Sequence, residues 1–137
     1  MKGSSLYAGM SLVEVLLVIA IIGIMAAMVI PYISSMRGLA TDQVARQQQA
    51  ELQTALGSWI ASQSSGPGGL AAAREAYNGA TGAKLQLIQS YLQPSTYSVL
   101  TGNGDNVTSS ALTGANAYLQ FSDWSSGSQP VVQWINR

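Results

Sequence analysis

The longest apolar stretch of the chain lies near its amino end. Residues 15–30 carry no charged or strongly polar side chain, and the stretch extends to Leu12 and Ile33. As a helix, residues 12–33 would measure about 33 Å at roughly 1.5 Å per residue, enough to cross a hydrocarbon core of about 30 Å. A helix that is apolar on every face needs apolar surroundings on every face. The rest of the chain, rich in Ser, Gly and Gln, is too polar to supply them, so the pattern predicts a membrane-spanning segment.

The helical pattern continues past Pro31 with a narrower apolar stripe. Apolar residues recur there at steps of three and four, polar residues occupy the other faces, and Gln48 interrupts the stripe. The stripe comprises Met36, Leu39, Ala40, Val44, Ala45, Leu52, Ala55, Leu56, Trp59 and Ile60. This periodicity predicts one helix of about fifty residues. Its first half, residues 10–33, would span the membrane, and its second half, residues 34–62, would support a globular head.

The remaining residues change in pattern twice. Gly and Pro within residues 62–69 end the long helix, and residues 63–93 are predicted as a loop with short helices at 70–77 and 83–92, separated by a break at 78–82. Residues 94–137 are predicted as a β-sheet region, with strands at 97–101, 118–122 and 131–135, because these runs are rich in aromatic and β-branched side chains. An antiparallel sheet of three or four strands, packed on the second half of the long helix, would bury both apolar faces. The predicted fold class is therefore α+β.

Composition removes several classes of function. The six basic and six acidic residues cancel, which gives no electrostatic argument for nucleic acid as a partner. Histidine and cysteine are both absent, which excludes imidazole and thiolate metal sites, disulfides and Cys- or His-based nucleophilic catalysis. No phosphate-binding loop is present, and Glu14, Glu51 and Glu75 lie too far apart along helices to form an acid–base pair. We therefore expect no enzyme and no bound cofactor.

Glu14 is the one charge at the start of the apolar stretch. A carboxylate at the centre of a membrane helix costs about 2.5–3.5 kcal/mol, and a position near the end costs less. An intramembrane ionisable group still calls for a partner. Lys2 is twelve positions away, so a better partner is a new amino terminus made by cleavage just before the helix. A secretory signal peptide would have a positive region where Glu14 stands, and a plain signal anchor gives Glu14 no role.

Residues 1–35 resemble the amino-terminal motif of type IV prepilins and type II secretion pseudopilins. The motif runs through Gly9-Met10-Ser11-Leu12-Val13-Glu14 and the apolar helix, with Pro31 some twenty residues into the mature chain. The resemblance implies that residues 1–9 form a leader peptide. Prepilin peptidase would cut between Gly9 and Met10 and N-methylate Met10. Met10 departs from the Phe that is commonest at this position, and the leader has a single Lys.

The resemblance also implies roles for two residues of the helix and a fold for the whole chain. The Glu14 carboxylate would pair with the amino terminus of a neighbouring subunit during assembly, which also sets the axial register. Pro31 would kink the helix. The family's head is a small antiparallel sheet on the second half of the long helix, in agreement with the pattern above.

The function implied by the resemblance is that of a structural subunit of a type IV pilus-like or type II secretion pseudopilus filament. Its partners would be other copies, prepilin peptidase, an inner-membrane assembly platform and an assembly ATPase. The family places the leader in the cytoplasm of a bacterium, one span in the inner membrane and the head outside, with the filament in the periplasm or at the cell surface. Charge does not set this orientation, since Lys2 on one side faces Arg37 and Arg46 on the other. The alternative is a single-pass membrane-anchored exported binding module that does not polymerise.

The loops of the head contain two candidate motifs, a calcium site and a glycosylation sequon. Major pseudopilins carry a calcium site in their carboxy-terminal loops, and Asp105 or Asp123 is the candidate ligand here. With so few carboxylates, the ordinary interpretation is a pair of Asx-type turns. Asn106-Val107-Thr108 is a glycosylation sequon, and a motif this short recurs by chance.

Overall fold

A computed structural model describes residues 11–125 and 127–137 of the chain. The chain divides into two units, Met1–Arg37 and Gly38–Arg137, and the second unit is called the head below. The elements are α1 (Leu12–Ser64), α2 (Gly69–Asn78), α3 (Lys84–Leu87), a 3₁₀ turn (Gln89–Tyr91), α4 (Pro94–Val99), β1 (Thr101–Asn103), β2 (Asn106–Thr108), α5 (Ser110–Gly114), β3 (Ala117–Phe121) and β4 (Val132–Asn136).

The predicted fold class is confirmed. The chain is α+β, with a long amino-terminal helix of 53 residues and a small sheet of four antiparallel strands in the order β1-β2-β3-β4. Each strand pairs with the next one along the chain, with a two-residue turn between β1 and β2, α5 between β2 and β3, and a longer connection between β3 and β4. The strand order leaves β1 and β4 as the edges.

The core of the head forms between one face of α1 and one face of the sheet. Alternate residues of β3 are buried, namely Ala117, Leu119 and Phe121, as the period of two in a strand requires. From the helix, the buried apolar side chains are Ala45, Leu52, Ala55, Leu56, Trp59 and Ile60. The buried face of α1 thus begins at Ala45. The predicted stripe begins earlier, at Met36, but Leu39 and Val44 are 68% and 47% exposed.

Two glutamines of α1 join the helix to the edge strand β4. Gln49 Nε2 donates to the carbonyl of Val132 at 3.0 Å, and the Val132 N–H donates to Gln53 Oε1 at 2.7 Å. Both backbone groups of Val132 are therefore paired, although its strand lies at the edge of the sheet. Unpaired backbone groups on an edge strand can pair with a strand from another chain. At Val132, the side chains of Gln49 and Gln53 occupy these groups.

The prediction of a strand at residues 97–101 is wrong. Residues Pro94–Val99 form α4, and β1 begins only at Thr101. Pro94 stands at the start of α4, where its fixed φ favours a helix and its missing N–H costs no bond. The helix α5 was also missed by the sequence pattern. It begins after Ser109, whose Oγ accepts a hydrogen bond from the N–H of Leu112.

The connection between the long helix and the sheet contains short helices. Helix α1 ends at Ser64, and α2 matches the short helix expected at 70–77. The second short helix is broken at Ile88 into α3 and the 3₁₀ turn. Gly68, just before α2, and Gly69, its first residue, both have positive φ, at 95° and 56°, which only glycine adopts at little cost.

Candidate functional site

Helix α1 begins with a capped turn that contains Glu14. Ser11 Oγ accepts a hydrogen bond of 3.2 Å from the N–H of Glu14, and the Ser11 carbonyl accepts from Glu14 and Val15 at 2.9 and 3.2 Å. Serine is favoured at this position because its oxygen satisfies an amide that the helix leaves unpaired. The carboxylate of Glu14 therefore lies in the first turn, where it interacts favourably with the helix dipole.

Glu14 is the only charged residue between Ser11 and Met36. Within residues 11–125 and 127–137, no cation forms an ion pair with its carboxylate. Gly9 and Met10, the predicted cleavage site and methylation site, lie outside the described residues. The pairing of Glu14 with an amino terminus therefore stays a prediction.

The apolar side chains that follow Glu14 are exposed on every face of the helix. No residue from Leu12 to Arg37 is buried, and Leu12, Val13 and Met28 are 77%, 72% and 73% exposed. Among the described residues, α1 is the one helix long and apolar enough to cross a membrane, a property shared by signal sequences near an amino terminus. Residues 12–33 are called the apolar segment below. Apolar surface of this extent requires lipid or protein around it.

Pro31 lies inside α1, and the helix continues on both sides of it. Proline has no N–H to donate to the carbonyl one turn earlier. In the following turn, Ser34 Oγ donates to the Ile30 carbonyl at 3.3 Å and Ser35 Oγ donates to the Tyr32 carbonyl at 2.8 Å. The kink expected at Pro31 stays a prediction.

The structure brings Asp105 and Asp123, the two calcium candidates, to one lysine in the head. Asp105 lies in the turn between β1 and β2, and Asp123 follows β3. The Nζ of Lys84 lies 2.9 Å from Asp105 Oδ1 and 3.8 Å from Asp123 Oδ1. Sequence reasoning missed Lys84. The available signal was that it is the only lysine apart from Lys2 and stands in an apolar pattern beside Leu85.

The lysine is buried against an aromatic cluster. Its side chain is 6% exposed, and Nζ lies 4.4 Å from the centroid of the Tyr77 ring. Tyr77 contacts Trp59 and Trp124, with ring centroids 6.1 and 5.9 Å apart, and its hydroxyl donates to the Ser122 carbonyl at 2.8 Å. Burial, and then the negative charges of Asp105 and Asp123, raise the pKa of Tyr77 far above its usual value.

These residues do not fit a calcium ion. Calcium takes six to eight oxygen ligands at about 2.3–2.6 Å, and the described residues contain no group of three or more His, Cys, Asp or Glu side chains that could hold a metal ion. The ammonium of Lys84 already lies 2.9 Å from Asp105 Oδ1, and its side chain is buried. A divalent ion at the same carboxylate would therefore lie beside a fixed positive charge.

A second polar feature lies on the helix side of the head. A groove of about 300 Å³ is lined by Gln47, Ala50, Glu51, Thr54, Ala55, Tyr91, Leu92 and Gln93. Both oxygens of Glu51 accept hydrogen bonds, Oε1 from Gln47 at 2.9 Å and Oε2 from Thr96 at 2.8 Å. The Thr96 bond attaches α4 to α1, the Gln47 bond lies within α1, and together they account for the carboxylate in structural terms. Asn106, the first residue of the sequon, is exposed on β2.

Comparisons of the chain with protein-family models, with curated proteins and with solved structures find no significant match.

Proposed function

We propose that the chain is a structural subunit of a type IV pilus-like or type II secretion pseudopilus filament. It is made as a single-pass precursor of the bacterial inner membrane, with the head outside the cytoplasm. Prepilin peptidase cleaves between Gly9 and Met10 and methylates the amino group of Met10. The apolar segments of many copies then pack together, assisted by the assembly platform and its ATPase.

The observation that carries the proposal is the combination of an apolar segment exposed on every face with a single carboxylate in its first turn. A simple membrane anchor requires the apolar residues but gives the Glu14 carboxylate no role. Removing a charge from water is costly, and a nearby opposite charge offsets the cost. The amino group created at Met10 would be such a charge, four positions before Glu14, but on a neighbouring copy.

The same pairing explains how the filament would gain a fixed register. Transfer of an apolar helix from lipid to a bundle of similar helices gains little from the hydrophobic effect, because both surroundings are apolar. Close packing and polar contacts must then supply the specificity. Two opposite charges in a medium of low dielectric constant attract strongly only near contact, so one axial offset between neighbours is favoured over the others.

Mass spectrometry of the mature amino terminus tests the proposal. The chain is purified from membranes of a host that contains prepilin peptidase, and we expect it to begin at Met10 and to carry one additional methyl group. Gly9→Val should block cleavage, whereas Gly3→Val within the same leader should not. An intact amino terminus, or cleavage elsewhere, would favour the alternative of a membrane-anchored binding module that does not polymerise.

A further inference from the structure

Three separate segments of the head meet at Lys84. The residue opens α3, and its backbone N–H donates to the carbonyl of Gly104 in the β1–β2 turn at 3.0 Å. Its ammonium then contacts Asp105 in the same turn. On the far side lies Asp123, which belongs to the connection between β3 and β4. The backbone and the side chain of Lys84 thus attach the start of α3 to the β1–β2 turn and to the β3–β4 connection.

Neighbouring contacts fix the same two loops. The N–H of Phe121 donates to the Asp105 carbonyl at 2.8 Å, which ties the β1–β2 turn to the end of β3. Asn78 at the end of α2 donates to the Trp124 carbonyl at 3.1 Å and accepts from the Trp124 N–H at 3.4 Å. Among residues 11–125 and 127–137, Lys84 is the only cation that forms an ion pair with Asp105 or Asp123.

We propose that the Lys84 ammonium is the built-in cation of this head, which holds the β1–β2 turn and the β3–β4 connection together in place of a bound divalent metal ion. The head then folds without calcium. This inference concerns the head alone and stands whether or not the chain forms filaments.

The geometry favours a tethered cation over a free one. Asp105 is half-exposed, whereas the Lys84 side chain is 6% exposed, with its ammonium against Asp105 and the Tyr77 ring. Being part of the chain, it needs no metal from solution, and its local concentration is set by the fold. A buried charge that loses its partner is strongly destabilising, so both Lys84 and Asp105 are expected to matter.

Thermal unfolding of the full chain in detergent micelles, followed by circular dichroism, tests the inference in two steps. For the unaltered chain, the Tm in millimolar calcium chloride should equal the Tm in EDTA to within about 1 °C. For Lys84→Met, which keeps the length of the side chain and removes its charge, the Tm should fall by roughly 10 °C or more. The matched control is Arg74→Met on α2, a cation that has no ion pair among the described residues, and its Tm should change little.

A double substitution separates the ion pair from general damage to the core. Lys84→Met combined with Asp105→Asn removes both charges of the closer ion pair, and its Tm should lie above that of Lys84→Met alone, because the remaining carboxylate, Asp123, is 94% exposed and can be solvated by water. Asp105→Asn should lower the Tm more than Asp123→Asn, since Asp123 is farther away and 94% exposed. If Lys84→Met does not fold, this ranking and the calcium measurement on the unaltered chain still decide the question.

Three results would overturn the inference. One is a clear rise in the Tm of the unaltered chain on adding calcium. Another is a Lys84→Met variant as stable as Arg74→Met. The third is a larger loss for Asp123→Asn than for Asp105→Asn.

Discussion

Ser109 Oγ donates a hydrogen bond of 2.7 Å to Gln48 Oε1 in the buried interior of the head, and the same oxygen accepts from the N–H of Leu112. One hydroxyl therefore satisfies a polar side chain of α1 and caps α5. Both Ser109 and Gln48 are 7% exposed, so water does not replace either bond. The contact fixes the position of α5 against the long helix.

Ser109→Ala should destabilise the chain by about 2 kcal/mol. The substitution removes a helix cap, which contributes roughly 0.5–2 kcal/mol, and leaves Gln48 Oε1 buried without a donor, which costs roughly 1–3 kcal/mol. Ser110→Ala is the matched control, because Ser110 is exposed and its hydroxyl makes no contact of this kind. Denaturant unfolding of both variants in detergent measures the difference. Equal stabilities would show that the Gln48 bond contributes nothing.

Much of the fold could be predicted from local pattern, and the errors have identifiable physical causes. The long helix, α2 and the antiparallel sheet follow from periodicity and from Gly and Pro. Gln48 interrupts the apolar stripe, yet it is buried, because Ser109 donates a hydrogen bond to its side chain. Ser109 lies 61 positions later in the chain, so the local pattern does not reveal this partner. Residues 97–101 have strand-like side chains, but Pro94 and the packing of Tyr97 against the core place residues 94–99 in a helix.

The candidate sites were predictable to different degrees. Glu14 stands out in the sequence because it is the only charge in a long apolar run. Its spacing from Gly9 and Met10 can also be read directly from the sequence. The grouping of Lys84 with Asp105 and Asp123 was not predictable in the same way. The three residues lie on three different segments, and only the paired strands β1, β2 and β3 bring them together.

Tyr77 should make the stability of the head fall above about pH 10. Its pKa is raised in the folded state, whereas an unfolded tyrosine ionises near pH 10. Its contribution is therefore fully present below pH 10 and is lost as the pH rises toward the folded pKa, by about 1.4 kcal/mol per pH unit.

The Tyr77→Phe variant isolates this effect, because it keeps Lys84, which faces the same ring. We expect the free energy of unfolding to fall less steeply between pH 10 and pH 11 in the variant than in the unaltered chain. Tyr91→Phe, which changes an exposed tyrosine, serves as the control. Identical slopes for Tyr77→Phe and the unaltered chain would contradict the assigned burial of the hydroxyl.

Gly23 should matter to assembly and not to the single chain. A Cβ added at Gly23 meets nothing within 4 Å, and the same is true of Gly57 in the head. Gly23→Leu and Gly57→Leu should therefore both leave membrane insertion and folding intact. Small residues let membrane helices approach closely, so Gly23→Leu should reduce filament yield several-fold when helices pack around it, and Gly57→Leu should not. Equal yields from the two variants in electron micrographs would argue against packing at Gly23.

The proposed register contact assigns a function to one carboxylate, and the most direct test is the fraction of the chain recovered in sedimented filaments from cells that produce Glu14→Gln. The variant should reach the membrane at normal levels and be cleaved normally, while the filament fraction falls at least about tenfold, since a hydrogen bond to a charged group contributes about 1.5–3 kcal/mol. Glu75→Gln, the same change at an exposed position of α2, should assemble like the unaltered chain. Filaments formed by Glu14→Gln in normal amounts would contradict the account.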